Sequence, residues 1–158
     1  MNWRNLFMRV NFKESRIVNY TDIHKDLRGG IYSIVNEECK NVSIIESKPG
    51  SIRSNHYHKK DWHYMLVLEG VLEYFYFSNA EKKVKYMNVK KDKIIFTPNL
   101  EIHATFFPQY CKLLVVSGYL RDSATYEADT VRVEFINHDN LQQAKKENFI
   151  WRPKVDIL

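Results

Sequence analysis

Cysteine is scarce in this sequence, with only Cys39 and Cys111 among 158 residues. Two distant cysteines make neither a disulfide scaffold nor a Cys-x-x-Cys metal or redox motif, so a reduced, cytoplasmic setting is expected. Long apolar runs are missing as well. Nothing approaches the stretch of about 18 apolar residues that a membrane span needs. The opening residues MNWRNLFMRVNF, broken by Arg4 and Arg9, lack the apolar run and small-residue end of a signal peptide. No helix-turn-helix or finger signature accompanies the basic balance of 24 Lys and Arg against 19 Asp and Glu, which argues against nucleic acid as the partner. The formal charge of +5 still points to an anionic partner of some kind. Lysines 82, 83, 85, 90, 91 and 93 interleave with Val84, Val89 and Ile94, the pattern of a solvated strand face. No internal repeat or low-complexity linker divides the chain, so residues 1–158 are expected to form one domain.

What the chain does have is apolar and aromatic content, 44% and 14%, with ten Tyr and nine Phe. That is enough for a core, and it leans towards strands. Strand-like runs fall at 16–19, 30–35, 41–46, 50–57, 62–69, 71–77, 83–89, 93–97, 103–107, 112–117 and 130–135. Short strands at near-regular spacing predict an all-β sandwich or barrel with its core over about 22–137. In the run from Val71 to Phe77, Val71, Glu73, Phe75 and Phe77 share one face, and Leu72, Tyr74 and Tyr76 the other. One short C-terminal helix is expected over 139–148, opened by Asp139 or Asn140 and packed outside the barrel.

Four of the six histidines form a pattern. His56 and His58 are two apart, so on a strand both point to one face. His63 follows the turn Lys59-Lys60, where an antiparallel return would bring it beside that pair. His103 heads a later strand whose inward face would include Thr105 and Phe107. Convergent neutral imidazoles suit a divalent transition metal, zinc first with iron or nickel as alternatives, bound by His56, His58, His63 and His103. Acid–base chemistry is the rival use, since imidazole titrates near neutral pH. His24 and His138 lie outside the pattern and are expected to be ordinary polar residues.

The run Gly50-x5-His56-x-His58-x4-His63-x6-Gly70 resembles the first motif of the cupins, with His63 where Glu is usual. Pro98-x4-His103 resembles the second, with Leu100 where the pattern has Gly. The resemblance implies a cupin-type jelly-roll barrel. Three further segments are similar to the sugar-nucleotide cupins, the dTDP-4-dehydrorhamnose 3,5-epimerases and dTDP-sugar 3,4-ketoisomerases. Asp26-Leu27-Arg28-Gly29 resembles their D-x-R-G segment, whose arginine contacts the nucleotide diphosphate. Arg53-Ser54-Asn55-His56-Tyr57-His58 resembles their RG-x-HxH segment. The segment from Tyr126 to Arg132 resembles a closing stretch that sets a tyrosine near the sugar. The chain also resembles the zinc-holding cupin domain of a capsule-biosynthesis enzyme that epimerises a UDP-4-keto sugar.

The resemblance implies an epimerase or isomerase of a nucleotide-linked keto sugar for surface polysaccharide, working by proton abstraction next to the ketone. His56, Tyr126 and Glu127 are the implied catalytic residues, and Arg28, Arg53, Tyr57 and Tyr74 the implied substrate contacts. A metal-bound imidazole nitrogen cannot also take a proton, so His56 is either ligand or base. The implied assembly is a homodimer, to which residues 1–20 would supply an exchanged strand. Two other readings stay open: a nucleotide-sugar-binding cupin without catalysis, and a metal-dependent cupin dioxygenase.

Overall fold

The computed structural model describes residues 12–154; most of the proposed exchange strand, residues 1–11, lies outside them. In chain order the elements are β1 (Arg16–Val18), β2 (Asp22–Asp26), β3 (Gly29–Ser33), β4 (Asn41–Ser47), β5 (Ser51–His58), β6 (His63–Glu69) and β7 (Val71–Ser78). They continue as β8 (Lys83–Lys90), β9 (Ile94–Thr97), β10 (His103–Phe107), β11 (Cys111–Ser117), α1 (Ser123–Asp129), β12 (Thr130–Arg132) and α2 (Leu141–Ala144). Ten strands make two five-stranded antiparallel sheets, ordered β1-β9-β6-β11-β4 and β12-β5-β10-β7-β8. The pair β2–β3 forms a separate hairpin sheet.

The interior of the barrel is one apolar cluster in which Met65 and Val67 of β6 meet Leu72, Tyr74 and Tyr76 of β7 and Leu113 and Val115 of β11. Both faces of β7 are buried, because its other face, with Phe75 and Phe77, packs under Phe135, Ile136, Leu141 and Ala144. The expected division of faces along β7 therefore holds, and the C-terminal segment covers the outer one. Gly70 joins β6 to β7 at φ 81, where a Cβ would lie 2.1 Å from the Tyr110 carbonyl oxygen. Only glycine fits that turn.

Two elements depart from the sequence expectation at the C-terminal side. The helix expected over 139–148 is the single turn α2, Leu141–Ala144. Its start is held by Asn137, whose side chain accepts from the backbone N–H groups of Asp139 and Asn140, both at 3.0 Å. After Lys145 the chain leaves the helix and lays Phe149 and Trp151 on the outer apolar cluster. The helix α1 was not anticipated. Asp122 caps it by accepting from Thr125 N–H at 3.1 Å, and that bond fixes the first turn of a segment only seven residues long.

Candidate active site

The strands bring His56, His58, His63 and His103 together inside one end of the barrel, each 7% exposed or less. His56 and His103 are register partners on adjacent β5 and β10. His58 pairs with Thr130 on the far side of β5. His63 arrives differently from the expected antiparallel return: β5 and β6 lie in opposite sheets, so residues 59–62 cross the barrel and His63 faces the other three from across it. The ring centroids of His56 and His58 are 4.5 Å apart, those of His56 and His103 4.8 Å, and those of His63 and His103 5.4 Å.

Burial sets their charge. Desolvation, helped by the neighbouring imidazoles and by Arg121, holds His56 and His63 far below the ordinary imidazole range. Burial likewise pushes His58 down to about 3 and His103 to about 4. All four are neutral at physiological pH, the form that accepts a proton or ligates a metal. Their orientations are pinned by second partners. His103 Nδ1 lies 3.0 Å from the Glu101 carbonyl oxygen, an arrangement that makes Nδ1 the protonated nitrogen. His58 Nδ1 lies 3.4 Å from Asp129 Oδ2 and 3.3 Å from Thr130 Oγ1. Asp129 is fixed in turn by the backbone N–H groups of Lys60 and Asp61, at 2.8 and 3.1 Å.

A cavity of about 120 Å³ opens beside this cluster. His56, His63 and His103 line it together with Arg53, Arg121 and Tyr126, over an apolar floor that includes Met65, Phe107 and Leu113. Thr105 and Phe107 face inward on β10 as expected. Helix α1 delivers Tyr126, whose ring centroid is 6.4 Å from His56 and 5.6 Å from His58. Arg121 was not picked out from the sequence. Its guanidinium lies 5.0 Å over the Tyr126 ring and its Nε 3.8 Å from Asp61 Oδ2. Nothing in the sequence pattern marks Arg121, Asp61 or Asp129, because single acids and a single arginine near turns carry no spacing signal of their own.

The other expected site residues lie elsewhere. Glu127 faces solvent on α1, closed off by a two-bond pair with Arg132 at 2.7 and 2.8 Å. Tyr57 sits on the opposite face of β5, against the outer cluster. Tyr74 is fully buried beneath the site: it stacks on His103 at 5.9 Å and bonds Thr97 and Ser15 through its hydroxyl. Arg28 lies on the β2–β3 hairpin, its side chain 88% exposed and bound to Asp26. His24 and His138 stand apart from the cluster, His24 against Asp26 and His138 against Phe106.

The donor set fits a first-row divalent ion. Two groups of three, His56 with His58 and His103, and His58 with Asp61 and His63, each hold ligand atoms within 4.8 Å of one another.

Comparison with solved structures places this architecture. The dTDP-4-dehydrorhamnose 3,5-epimerase of Elizabethkingia anophelis matches with a TM-score of 0.63 at 18% identity, over 84% of this chain and 81% of that one. The fold is the cupin jelly roll. The TDP-quinovose 3,4-ketoisomerase WlaRB of Campylobacter jejuni matches at 0.62 and 22% identity, over 82% and 97%. The sugar 3,4-ketoisomerase QdtA of Thermoanaerobacterium thermosaccharolyticum, solved with TDP, matches at 0.61 and 20%, over 87% and 96%. These are the two groups of cupins that the sequence resembles. No protein-family model matches the chain, and no curated protein matches it by sequence.

Proposed function

We propose that this cupin is an enzyme that isomerises or epimerises a nucleotide-linked keto sugar for surface polysaccharide, by moving a proton next to the ketone. The observation that carries the reading is the small cavity lined together by neutral His56, Tyr126 and the cations Arg53 and Arg121. A ketone acidifies the neighbouring C–H, His56 takes that proton, and the enolate oxygen develops negative charge beside Arg121. Tyr126 returns a proton: to the opposite face of the same carbon for an epimerase, or, for a ketoisomerase, to C4 after the C3 hydroxyl has passed its proton to the C4 oxygen, which leaves the carbonyl at C3. The cavity is far smaller than a whole nucleotide sugar requires. The sugar ring enters it, and the diphosphate lies over the mouth near Arg53. The folds of the TDP-sugar isomerases and epimerases support the same substrate class.

Glu127, held by Arg132 on the outer side of α1, has no part in this scheme. Zinc, or iron or nickel, is the cofactor that the donor set supports, and the proton path above does not run through it. A homodimer is supported by the hairpin β2–β3, which exposes Ile23, Leu27 and Ile31. Arg28, remote from its own cavity, would meet the diphosphate in a second copy. The cytoplasmic reading rests on two free thiols, Cys39 and Cys111.

The test is to incubate the protein in deuterated water with dTDP-, UDP- and GDP-linked 4-keto sugars and follow deuterium at C3 and C5 by mass spectrometry. Incorporation is expected with one nucleotide series, and His56→Asn is expected to slow it by about 10²–10⁴-fold. Binding of a sugar nucleotide without exchange in any series would leave a binding protein rather than an enzyme.

A further inference from the structure

We infer that His58, Asp61 and His63 form a divalent-metal site in which Asp61 is a ligand and His56 is not. The three are 1%, 2% and 3% exposed, and their ligand atoms lie within 4.8 Å of one another. Among the described residues, His58 Nε2, His63 Nδ1 and Asp61 Oδ2 are buried atoms without a hydrogen-bond partner. A buried polar atom left unpaired costs about 1–3 kcal/mol, so three in one place call for a common partner. Arg121 Nε, 3.8 Å from Asp61 Oδ2, is too distant to bond it. His56 and His103 leave no such atom.

The remaining atoms of two of these side chains are already anchored in the manner of metal ligands. His58 presents Nδ1 to Asp129 and Thr130, which leaves Nε2 with its lone pair facing inward. A carboxylate behind a histidine in this way fixes the ring and strengthens it as a ligand. Asp61 Oδ1 accepts the Tyr119 backbone N–H at 3.0 Å, and that bond aims Oδ2 at the histidines. The backbone closes the same corner, with the Gly118 N–H donating to the Trp62 carbonyl at 2.9 Å. A Cβ on Gly118 would lie 2.1 Å from the Trp62 ring, so the approach that seats residues 61–63 requires glycine. Two imidazoles and one carboxylate are hard-to-borderline donors that suit zinc or another late first-row ion. Ligands at about 2.0–2.2 Å from a tetrahedral ion sit about 3.5 Å apart, so the three need to close by about an ångström.

The site joins the two sheets. His58 belongs to one, His63 to the other, and Asp61 to the segment that crosses between them. It leaves His56 and its cavity face free, and it holds whether or not the chain turns over a keto sugar.

Metal content and coordination test it on the whole protein. After dialysis against zinc and then buffer, one zinc per chain is expected by elemental analysis, and X-ray absorption should show two imidazoles with oxygen ligands. Asp61→Asn, which keeps an acceptor for the Tyr119 N–H, is expected to weaken zinc binding by about 100-fold or more, and Asp129→Asn by about 10–100-fold. His56→Asn is expected to bind zinc as the parent does. Circular dichroism identifies any variant that fails to fold, and the absorption spectrum of the parent decides the matter without variants. Three or more imidazoles on the ion, equal loss in His56→Asn, or no bound zinc would each overturn the assignment.

Discussion

Leu100 and Ser54 stand at φ 61 and φ 65, in the left-handed region that costs an ordinary L-residue about 1–2 kcal/mol. The second cupin motif has glycine at the first of these positions, and the RG-x-HxH segment of the sugar-nucleotide cupins has it at the second. The conformation survives the loss of glycine because neighbouring bonds impose it. Leu100 N–H donates to the His58 carbonyl at 2.7 Å, and Asn55, beside Ser54, exchanges two side-chain bonds with the backbone of Ile136. Leu100 is 38% exposed and holds little of the core. Leu100→Gly is therefore expected to stabilise the fold by about 1 kcal/mol, seen as a rise of about 2–4 °C in Tm. An unchanged or lower melting point would mean that the leucine contacts outweigh the strain. At this scale the histidines were legible because their spacing on strands fixes where they point. Asp61, Asp129 and Arg121 were not. Their roles come from chain crossings and loop closures that bring residues about 60 to 70 positions apart into contact, and no local pattern encodes such a meeting.

Elements differ in how much of themselves they announce. The barrel strands were legible from alternation and turn spacing. The strand β2, with the sequence Asp-Ile-His-Lys-Asp, escaped because it pairs only with β3 and buries nothing, so no apolar periodicity marks it. The helix α1 escaped because one side-chain cap, rather than helical propensity, starts it. The segment before β1 shows the same dependence on a single group. Ser15 bonds the Glu101 carboxylate through both its N–H, at 2.8 Å, and its hydroxyl, and its hydroxyl also meets Tyr74. Burial raises Glu101 to about 8. A carboxyl that holds its proton more tightly when folded loses stability as pH rises from the unfolded value towards the folded one. The buried histidines have the opposite sign: their lowered values make stability rise with pH up to about 6.5. Stability in the presence of a chelator is thus expected to peak near pH 6.5 and fall by about 1–2 kcal/mol by pH 8. Denaturant titrations of the parent and of Glu101→Gln should show the alkaline fall in the first and its absence in the second. A fall of equal size in both would assign it to another group.

For the molecule as a whole, the exposed apolar residues are concentrated on a few elements. Ile23, Leu27 and Ile31 lie on or between β2 and β3, and Val42 and Ile44 on β4, the edge of its sheet. An apolar hairpin and an edge strand with no second neighbour among the described residues are features that self-association covers. Light scattering is expected to give twice the 18.9 kDa chain mass. Ile31→Asp should shift that mass towards the monomer without altering zinc content, and a monomeric parent would remove the second copy from the proposed site. The hairpin has another consequence. Residues 21–32 are exposed throughout, so almost none of the barrel's cohesion passes through them. Such a stretch can drift, lengthen or be replaced without the core having to adjust. The chain thus separates the crowded end of the barrel, whose residues hold one another in place, from a hairpin whose sequence answers only to the second copy it meets.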